Sequence, residues 1–177
     1  MTLTGREGGG TAPLIVTALL PAELQARMDA LRRAHFPPER NYLAAHVTLF
    51  HALPPSCEAE LREVLARMTA QHPPPPGRVE GVMSLGQGTA IKLASPALLA
   101  LREELADRFD TLLTPQDQHS PRLHVTVQNK VAPREAKALQ AQLSAEVRPQ
   151  DFRFAGLAVN AYCGGPWRRL KTWSFRG

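Results

Sequence analysis

The feature that most constrains the fold is a short pattern, His-Val-Thr followed by an aliphatic residue, which occurs twice. It is found at His46–Leu49 and again at His124–Val127, a little under half a chain length later. In a β-strand, successive side chains alternate between the two faces. In each copy the histidine and the threonine therefore share one face, and the two aliphatic residues share the other. The pattern predicts two strands, each with an apolar face toward a core and a polar face that carries an imidazole and a hydroxyl.

The segments around the two motifs follow the same order of predicted elements. Apolar spacing and turn residues predict the series β-α-β-α-β-β-α-β-α-β-β, in which each motif strand follows one helix and precedes another. The motif strands are predicted at 43–50 and 122–130, and the last two strands at 152–162 and 167–175. We therefore expect an α/β (α+β) fold that is bilobal and pseudo-two-fold, with two mostly antiparallel sheets facing a central cleft and helices on the outside.

The composition bears on the domain organisation of the chain and on its expected location in the cell. Residues 1–12 are rich in glycine and predict a flexible N-terminal tail, which leaves 13–177 as a single bilobal domain. No apolar run approaches the roughly 20 residues that span a bilayer. The cysteines, Cys57 and Cys163, are too few for a disulfide framework. We expect a cytoplasmic monomer with no membrane partner.

The chain carries a net charge of +5 at pH 7, and the basic excess is clear near its C-terminal end. From 152 to 177 there is no acidic residue, and the basic residues are Arg153, Arg168, Arg169, Lys171 and Arg176. Such a segment can steer a polyanion such as RNA. It fits equally well a solvated strand edge that lysine and arginine protect against aggregation. Both interpretations stay open.

Two histidines and two threonines that face one cleft suit a phosphoester site. Opening a 2′,3′-cyclic phosphate requires one group that takes a proton from the nucleophile and another that gives a proton to the leaving oxygen. Imidazoles titrate near neutral pH, so His46 and His124 can form this acid–base pair. The hydroxyls of Thr48 and Thr126 can bind the non-bridging phosphate oxygens. This chemistry requires no cofactor, and the sequence leaves open which histidine is the acid.

Metal-dependent and cysteine-dependent chemistry have weaker support in the sequence. His51 and His119 each lie five residues from a motif histidine, and an odd offset along a regular strand sends two side chains to opposite faces. Neither pair is then a natural ligand set, and neither motif contains an acidic residue. Cys57 and Cys163 have no histidine partner that the sequence reveals. We therefore expect a site without a metal.

Strand parity adds candidate substrate-binding residues around the motifs. Arg122 and Lys130 share the predicted face of the second motif histidine, where each is either a phosphate-binding cation or a solvated one at a strand end. Phe50 shares the predicted face of the first motif histidine. Phe50, Tyr162 and Trp167 could stack on a base, although packing in the core or between the lobes accounts for them better.

At the two motifs the sequence resembles the 2H phosphoesterase superfamily, specifically bacterial proteins of the 2′-5′ RNA ligase or RNA 2′,3′-cyclic phosphodiesterase type. The twin motifs, their spacing and the order of the surrounding elements carry the resemblance over about residues 13–175. It implies a bilobal fold with a metal-free site in the cleft between the lobes. There, His46 and His124 would act as general acid and general base, and Thr48 and Thr126 would bind the phosphate.

Two departures from the family pattern bear on the substrate. Many members carry an arginine after the second motif, where this chain has Asn129 and Lys130, and His51 replaces part of the usual apolar pair after the first. We expect a phosphodiesterase that hydrolyses 2′,3′-cyclic phosphate or 2′-5′ linked RNA ends or nucleotides, with 2′-5′ RNA ligation as the reverse reaction. Hydrolysis is favoured in dilute solution because water is the abundant nucleophile. The alternatives are a non-catalytic RNA- or nucleotide-binding module and a phosphoesterase for a small metabolite.

Overall fold

The computed structural model describes residues 10–177, and that part of the chain contains eight β-strands and four α-helices. Most of the tail predicted for residues 1–12 lies outside the described residues. The strands are β1 (Leu14–Leu19), β2 (Val47–Leu53), β3 (Pro76–Ser84), β4 (Thr89–Ala94), β5 (His124–Gln128), β6 (Gln150–Arg153), β7 (Gly156–Tyr162) and β8 (Trp167–Ser174). The helices are α1 (Ala22–His35), α2 (Glu58–Gln71), α3 (Pro96–Arg108) and α4 (Pro133–Glu146). None of these helices is long and apolar enough to cross a membrane.

The strands form two four-stranded antiparallel sheets that repeat one topology around the motifs. The order is β2-β1-β7-β8 in the first sheet and β5-β4-β3-β6 in the second. In each sheet the motif strand forms an edge and pairs with the strand that precedes it in a β-α-β unit, β1-α1-β2 or β4-α3-β5. The two motif strands β2 and β5 approach each other. The predicted pseudo-two-fold arrangement of two antiparallel sheets is confirmed.

The core follows from the alternation of apolar residues in the motif strands. Val47, Leu49, Val125 and Val127 are at most 1% exposed, whereas the histidines and threonines between them are half-buried. The buried aliphatic residues belong to one apolar cluster that includes both sheets and the inner faces of the helices. The motif strands therefore hold their polar side chains on a face that this core does not cover.

Both motif strands contain an extra residue directly after the motif threonine. Thr17 pairs with Thr48 and Val16 with Phe50, so β2 has one residue more than β1 at this point. The second sheet repeats the irregularity, because Ala90 pairs with Thr126 and Thr89 with Gln128. A β-bulge of this kind shifts the side-chain alternation by one residue. It buries Phe50 and Gln128, although regular parity would place both on the polar faces.

The C-terminal region has three strands where the sequence predicts two. The predicted strand at 152–162 is divided, because β6 pairs with β3 in the second sheet while β7 pairs with β1 in the first. Between them Phe154 is fully buried, and the Ala155 backbone N–H donates to the Leu19 carbonyl. The chain changes sheets at these two residues, and apolar spacing alone does not reveal such a crossing.

Candidate active site

The motif side chains lie where the edges of the two sheets approach each other. Thr48 and His124 line a single cavity of about 220 Å³. His46 and Thr126 are not among its lining residues, but the charges of the His46 and His124 rings interact. The structure thus brings the two motifs together at one location, with the first threonine and the second histidine facing the same space.

Both motif histidines are oriented in the same way by the backbone. The Nδ1 atom of His46 lies 2.9 Å from the carbonyl oxygen of Ala44, and that of His124 lies 2.6 Å from the carbonyl oxygen of Arg122. A carbonyl oxygen only accepts, so each Nδ1 carries a hydrogen and donates it. The lone pair of a neutral ring is then on Nε2, which leaves that nitrogen free to exchange protons with a ligand.

His46 is held in its neutral form. Its pKa is lowered from 6.5 to about 4, mainly because burial disfavours the charged ring. The hydrogen bond to Ala44 opposes this effect, and the positive charges of Arg32, His124 and His51 add to it. Part of the burial comes from Trp167, whose ring centroid lies 4.5 Å from that of His46 at an interplanar angle of 55°.

His51 lines the same cavity as Thr48, so the prediction that it lies on the opposite face from the motif is wrong. The extra residue after Thr48 reverses the parity on which that prediction depended. The His51 Nδ1 atom lies 2.9 Å from Oδ1 of Asp117, a carboxylate whose side chain is 1% exposed. Asp117 also accepts hydrogen bonds from the backbone N–H groups of His51 and Ala52.

The carboxyl group of Asp117 is ionised despite its position. Burial alone would raise its pKa, but hydrogen bonds from the ring and backbone of His51 and from the backbone of Ala52 outweigh that effect and lower it. The sequence shows only that Asp117 is close to the second motif. Its pairing with the first motif strand depends on how the lobes meet.

Two buried arginines connect each lobe to the motif strand of the other. Arg32 on α1 donates from Nη1 to the Thr126 carbonyl at 2.8 Å, and Arg102 on α3 donates from Nε to the Leu49 carbonyl at 3.3 Å. They are 3% and 1% exposed. Burial lowers the pKa of Arg32, and Asp29 opposes that effect. Helical spacing gives a partial signal, because Arg32 follows the buried Met28 by four residues and Arg102 follows the buried Leu98 by four.

The remaining predicted residues are spread over several places. Arg122 is exposed and lines the cavity with His124, whereas Lys130 lies in a different pocket beside Phe36, Arg40, Tyr42 and Asn129. Tyr162 is 44% exposed and pairs with Trp167 at the β7–β8 turn. Phe50 is 1% exposed and lies under the guanidinium of Arg102, 4.3 Å from its ring centroid. Its predicted place on the face of His46 is wrong, and it is not available to stack on a base.

The structure also shows the surroundings of the two cysteines and of the possible metal ligands. Cys57 is buried, its Sγ donates to the Pro54 carbonyl, and burial raises the pKa of its thiol. Such a thiol is a poor nucleophile, because the reactive form is the thiolate. Cys163 is exposed. Within residues 10–177, no three His, Cys, Asp or Glu side chains form a group that could hold a metal ion.

Comparisons with known proteins identify one matching protein family and several solved structures with a similar fold. A family model described as the 2′-5′ RNA ligase superfamily matches residues 20–165. No curated protein sequence matches the chain. Several solved structures share its fold. TT0787 of Thermus thermophilus is 19% identical with a TM-score of 0.63, over 93% of this chain and 98% of that one. E. coli LigT complexed with 3′-AMP is 18% identical with a TM-score of 0.55, over 94% and 99%. E. coli LigT complexed with NADP+ is 18% identical with a TM-score of 0.58, over the same shares of the two chains.

Proposed function

The chain belongs to the 2′-5′ RNA ligase superfamily, and we propose that it is a metal-independent phosphodiesterase. Its proposed substrates are RNA ends or nucleotides with a 2′,3′-cyclic phosphate or a 2′-5′ linkage, and 2′-5′ RNA ligation is the reverse reaction. The proposal depends above all on one observation: both motif histidines use Nδ1 to donate to a backbone carbonyl two residues earlier, which leaves Nε2 free. The LigT structures complexed with 3′-AMP and NADP+ support a nucleotide ligand.

The proposed reaction uses the two imidazoles in different protonation states. His46 is the base, because burial keeps its ring neutral well below pH 7. Its Nε2 takes a proton from water, the water oxygen bonds to phosphorus, and the bond from phosphorus to one ribose oxygen breaks. His124 gives a proton to that ribose oxygen. The Thr48 and Thr126 hydroxyls donate to the non-bridging oxygens while negative charge develops there.

Several wider features belong to the same proposal. Residues 13–177 form the catalytic domain, and the protein acts as a cytoplasmic monomer. Arg122 extends the phosphate-binding surface of the cavity, because it is exposed and lines the cavity together with His124. Lys130 and Tyr162 lie farther along the surface and would contact a longer RNA strand.

The first test is hydrolysis of nucleoside 2′,3′-cyclic phosphates in the presence of EDTA. We expect turnover by the unaltered protein, and a loss of about 10²–10⁴-fold in His46→Ala and in His124→Ala, the range that general acid–base catalysis contributes. The matched control is His72→Ala, because His72 also bonds through Nδ1 to a backbone carbonyl but lies at the end of α2. Circular dichroism would check that all three variants fold.

Two results would contradict the proposal. Normal turnover in both motif variants would remove the acid–base role of the histidines, and activity that EDTA abolishes would remove metal independence. If RNA binds in a salt-dependent way and no product forms, the non-catalytic binding module becomes the better explanation.

A further inference from the structure

We propose that the cavity beside the motifs is a binding subsite for a second phosphate of the substrate, in which His51 contacts the phosphate and Asp117 is the positioning residue. This inference rests on the proposed function, because Thr48 and His124 form part of the same cavity. The substrate class is therefore a nucleotide that carries a 5′-phosphate in addition to its 2′,3′-cyclic phosphate. That phosphate is free in a mononucleotide and links to the preceding nucleotide in RNA.

The cavity presents hydrogen-bond donors and positive charge to a ligand. Its volume of about 220 Å³ has room for a phosphate group, and its polar lining residues besides those of the motifs include His51, His119, Arg122, Gln116 and Ser120. The one acidic lining residue is Asp117, whose carboxylate is buried and is already bonded to the strand opposite. An anion that enters therefore meets donors rather than an exposed carboxylate.

His51 is oriented toward this space by a contact on the other side of its ring. Because Asp117 accepts from Nδ1 at 2.9 Å, the free nitrogen of His51 is Nε2, and the side chain is 42% exposed. A phosphate at Nε2 would place the ring between two negative groups, each accepting one ring N–H. A ring whose rotamer and tautomer are already held loses little conformational entropy when it binds.

Asp117 is itself held rigidly. Arg102 donates from Nη2 to the Asp117 carbonyl and from Nε to the Leu49 carbonyl, which ties the loop before β5 to the strand that carries His51. The backbone bonds from His51 and Ala52 to Asp117 would suffice to cap the strand edge. The additional bond from the imidazole helps to keep the buried carboxylate ionised. It also leaves Nε2 as the free ring nitrogen of a side chain that lines the cavity, where a ligand can contact it.

The test compares two ligands that differ by one phosphate, adenosine 2′-monophosphate and adenosine 2′,5′-bisphosphate. Calorimetric titration at low salt measures binding independently of turnover. We expect the unaltered protein to bind the bisphosphate at least about tenfold more tightly, as one added charge-assisted hydrogen bond would give. In His51→Ala the two affinities should become similar, because only the bisphosphate is weakened. A dinucleotide that ends in a 2′-phosphate tests whether a linking phosphate occupies the subsite as a free one does.

Two further variants separate positioning from folding. Asp117→Asn keeps the shape of the side chain but removes its charge, and we expect it to weaken the bisphosphate without changing the affinity for the monophosphate. His72→Ala removes an imidazole that does not line the cavity and should leave the preference unchanged. Thermal unfolding of each variant establishes that it is folded.

The outcomes for the subsite and for the proposed function are distinguishable. Equal affinity of the unaltered protein for the two ligands, or binding of neither, would overturn the subsite. A preference that persists in His51→Ala would overturn the assignment of His51. A protein that prefers the bisphosphate but hydrolyses neither a 2′,3′-cyclic phosphate nor a 2′-5′ linkage would keep the subsite and refute the proposed function.

Discussion

Contact with an aromatic ring contributes to the lowered pKa of one motif histidine. Trp167 lies against His46 and shields one face of its ring from water. A shielded imidazole loses more hydration energy when it is charged than when it is neutral, so its pKa falls, here to about 4. The tryptophan is thus better described as a neighbour that adjusts the first motif histidine than as a packing residue between the lobes.

We expect the acid limb of the pH profile of kcat/KM to lie near pH 4 rather than near 6.5. The base must be unprotonated in the free enzyme, and His46 holds its neutral form down to about pH 4. In Trp167→Ala the ring becomes more exposed, so its pKa should rise toward 6.5 and the acid limb should move in the same direction. The measurements are the pH dependence of kcat/KM and an NMR titration of His46. The control is Trp173→Phe, in the same strand.

The same pKa shift affects stability in a defined direction. The unfolded chain binds a proton at this histidine near pH 6.5, whereas the folded chain binds it only near pH 4. The contribution of His46 to the free energy of unfolding is therefore fully present above about pH 6.5 and declines as the pH falls to 4.

For the pH profile of kcat/KM, an acid limb that does not move in Trp167→Ala would show that the tryptophan does not control the protonation of His46.

At the scale of strands and helices, the two lobes are connected by reciprocal contacts at the sheet edges. Each motif strand is an edge strand, with carbonyl groups that its own sheet does not pair. Arg32 from α1 reaches the carbonyl of Thr126 on β5, and Arg102 from α3 reaches the carbonyl of Leu49 on β2. The two lobes are therefore connected by hydrogen bonds to the motif strands themselves.

We expect Arg102→Met to destabilise the protein by about 2–4 kcal/mol. The change leaves the buried carbonyl groups of Leu49 and Asp117 without their donor and removes the cation–π contact with Phe50. Urea unfolding measures the effect. Arg62→Met is the matched control, because within residues 10–177 Arg62 pairs only with Glu58 on the surface of α2. This change should cost about 0.5 kcal/mol or less. Equal losses in the two variants would refute the role of Arg102 as a connection between the lobes.

Local sequence patterns predict the strands and helices, but they do not predict how these elements pack against one another. The alternation of aliphatic residues with His and Thr predicts both motif strands, and Ser95 followed by Pro96 predicts the start of α3, where the Ser95 hydroxyl accepts from the Leu98 N–H. The face of Phe50 and of His51 is mispredicted because one inserted residue reverses the parity of the strand. No local signal marks that insertion.

The side-chain contacts between the two lobes are the features that the sequence does not predict. Arg102 and Asp117 lie on separate elements, and their partners on β2 are far away in sequence. Arginine is rarely buried, so its residue type predicts a surface position even though helical spacing places Arg102 on the apolar face of α3. The Asp117–His51 pair could be suspected only once the pairing of the two lobes is known.

At the scale of the whole molecule, the two lobes share one apolar core. The cluster of buried residues includes Val16 and Val47 from the first sheet and Ile91 and Val125 from the second. Helix α1 also packs against β5 of the other lobe. Unfolding of one lobe would therefore expose part of the apolar core of the other.

We therefore expect residues 13–177 to unfold in one cooperative transition. Helix content by circular dichroism and tryptophan fluorescence should give the same midpoint in urea, although both tryptophans lie in the first sheet. Native-state hydrogen exchange should give similar opening free energies for the central strands β1 and β4. An earlier loss of either sheet would show that the lobes are separate folding units.

The order of strands in the two sheets also has a consequence for protein synthesis. The second sheet is complete once the ribosome has added β6, because its four strands all lie between Pro76 and Arg153. The first sheet needs β7 and β8, so β1 and β2 are synthesised early but wait for the C-terminal strands. The edge of β1 that pairs with β7 is thus open in the nascent chain for most of translation, a period in which unpaired strand edges are prone to misassembly. All four strands of the second sheet are therefore available before the first sheet can be completed, so the two sheets are completed in the reverse of the order in which their motif strands are synthesised.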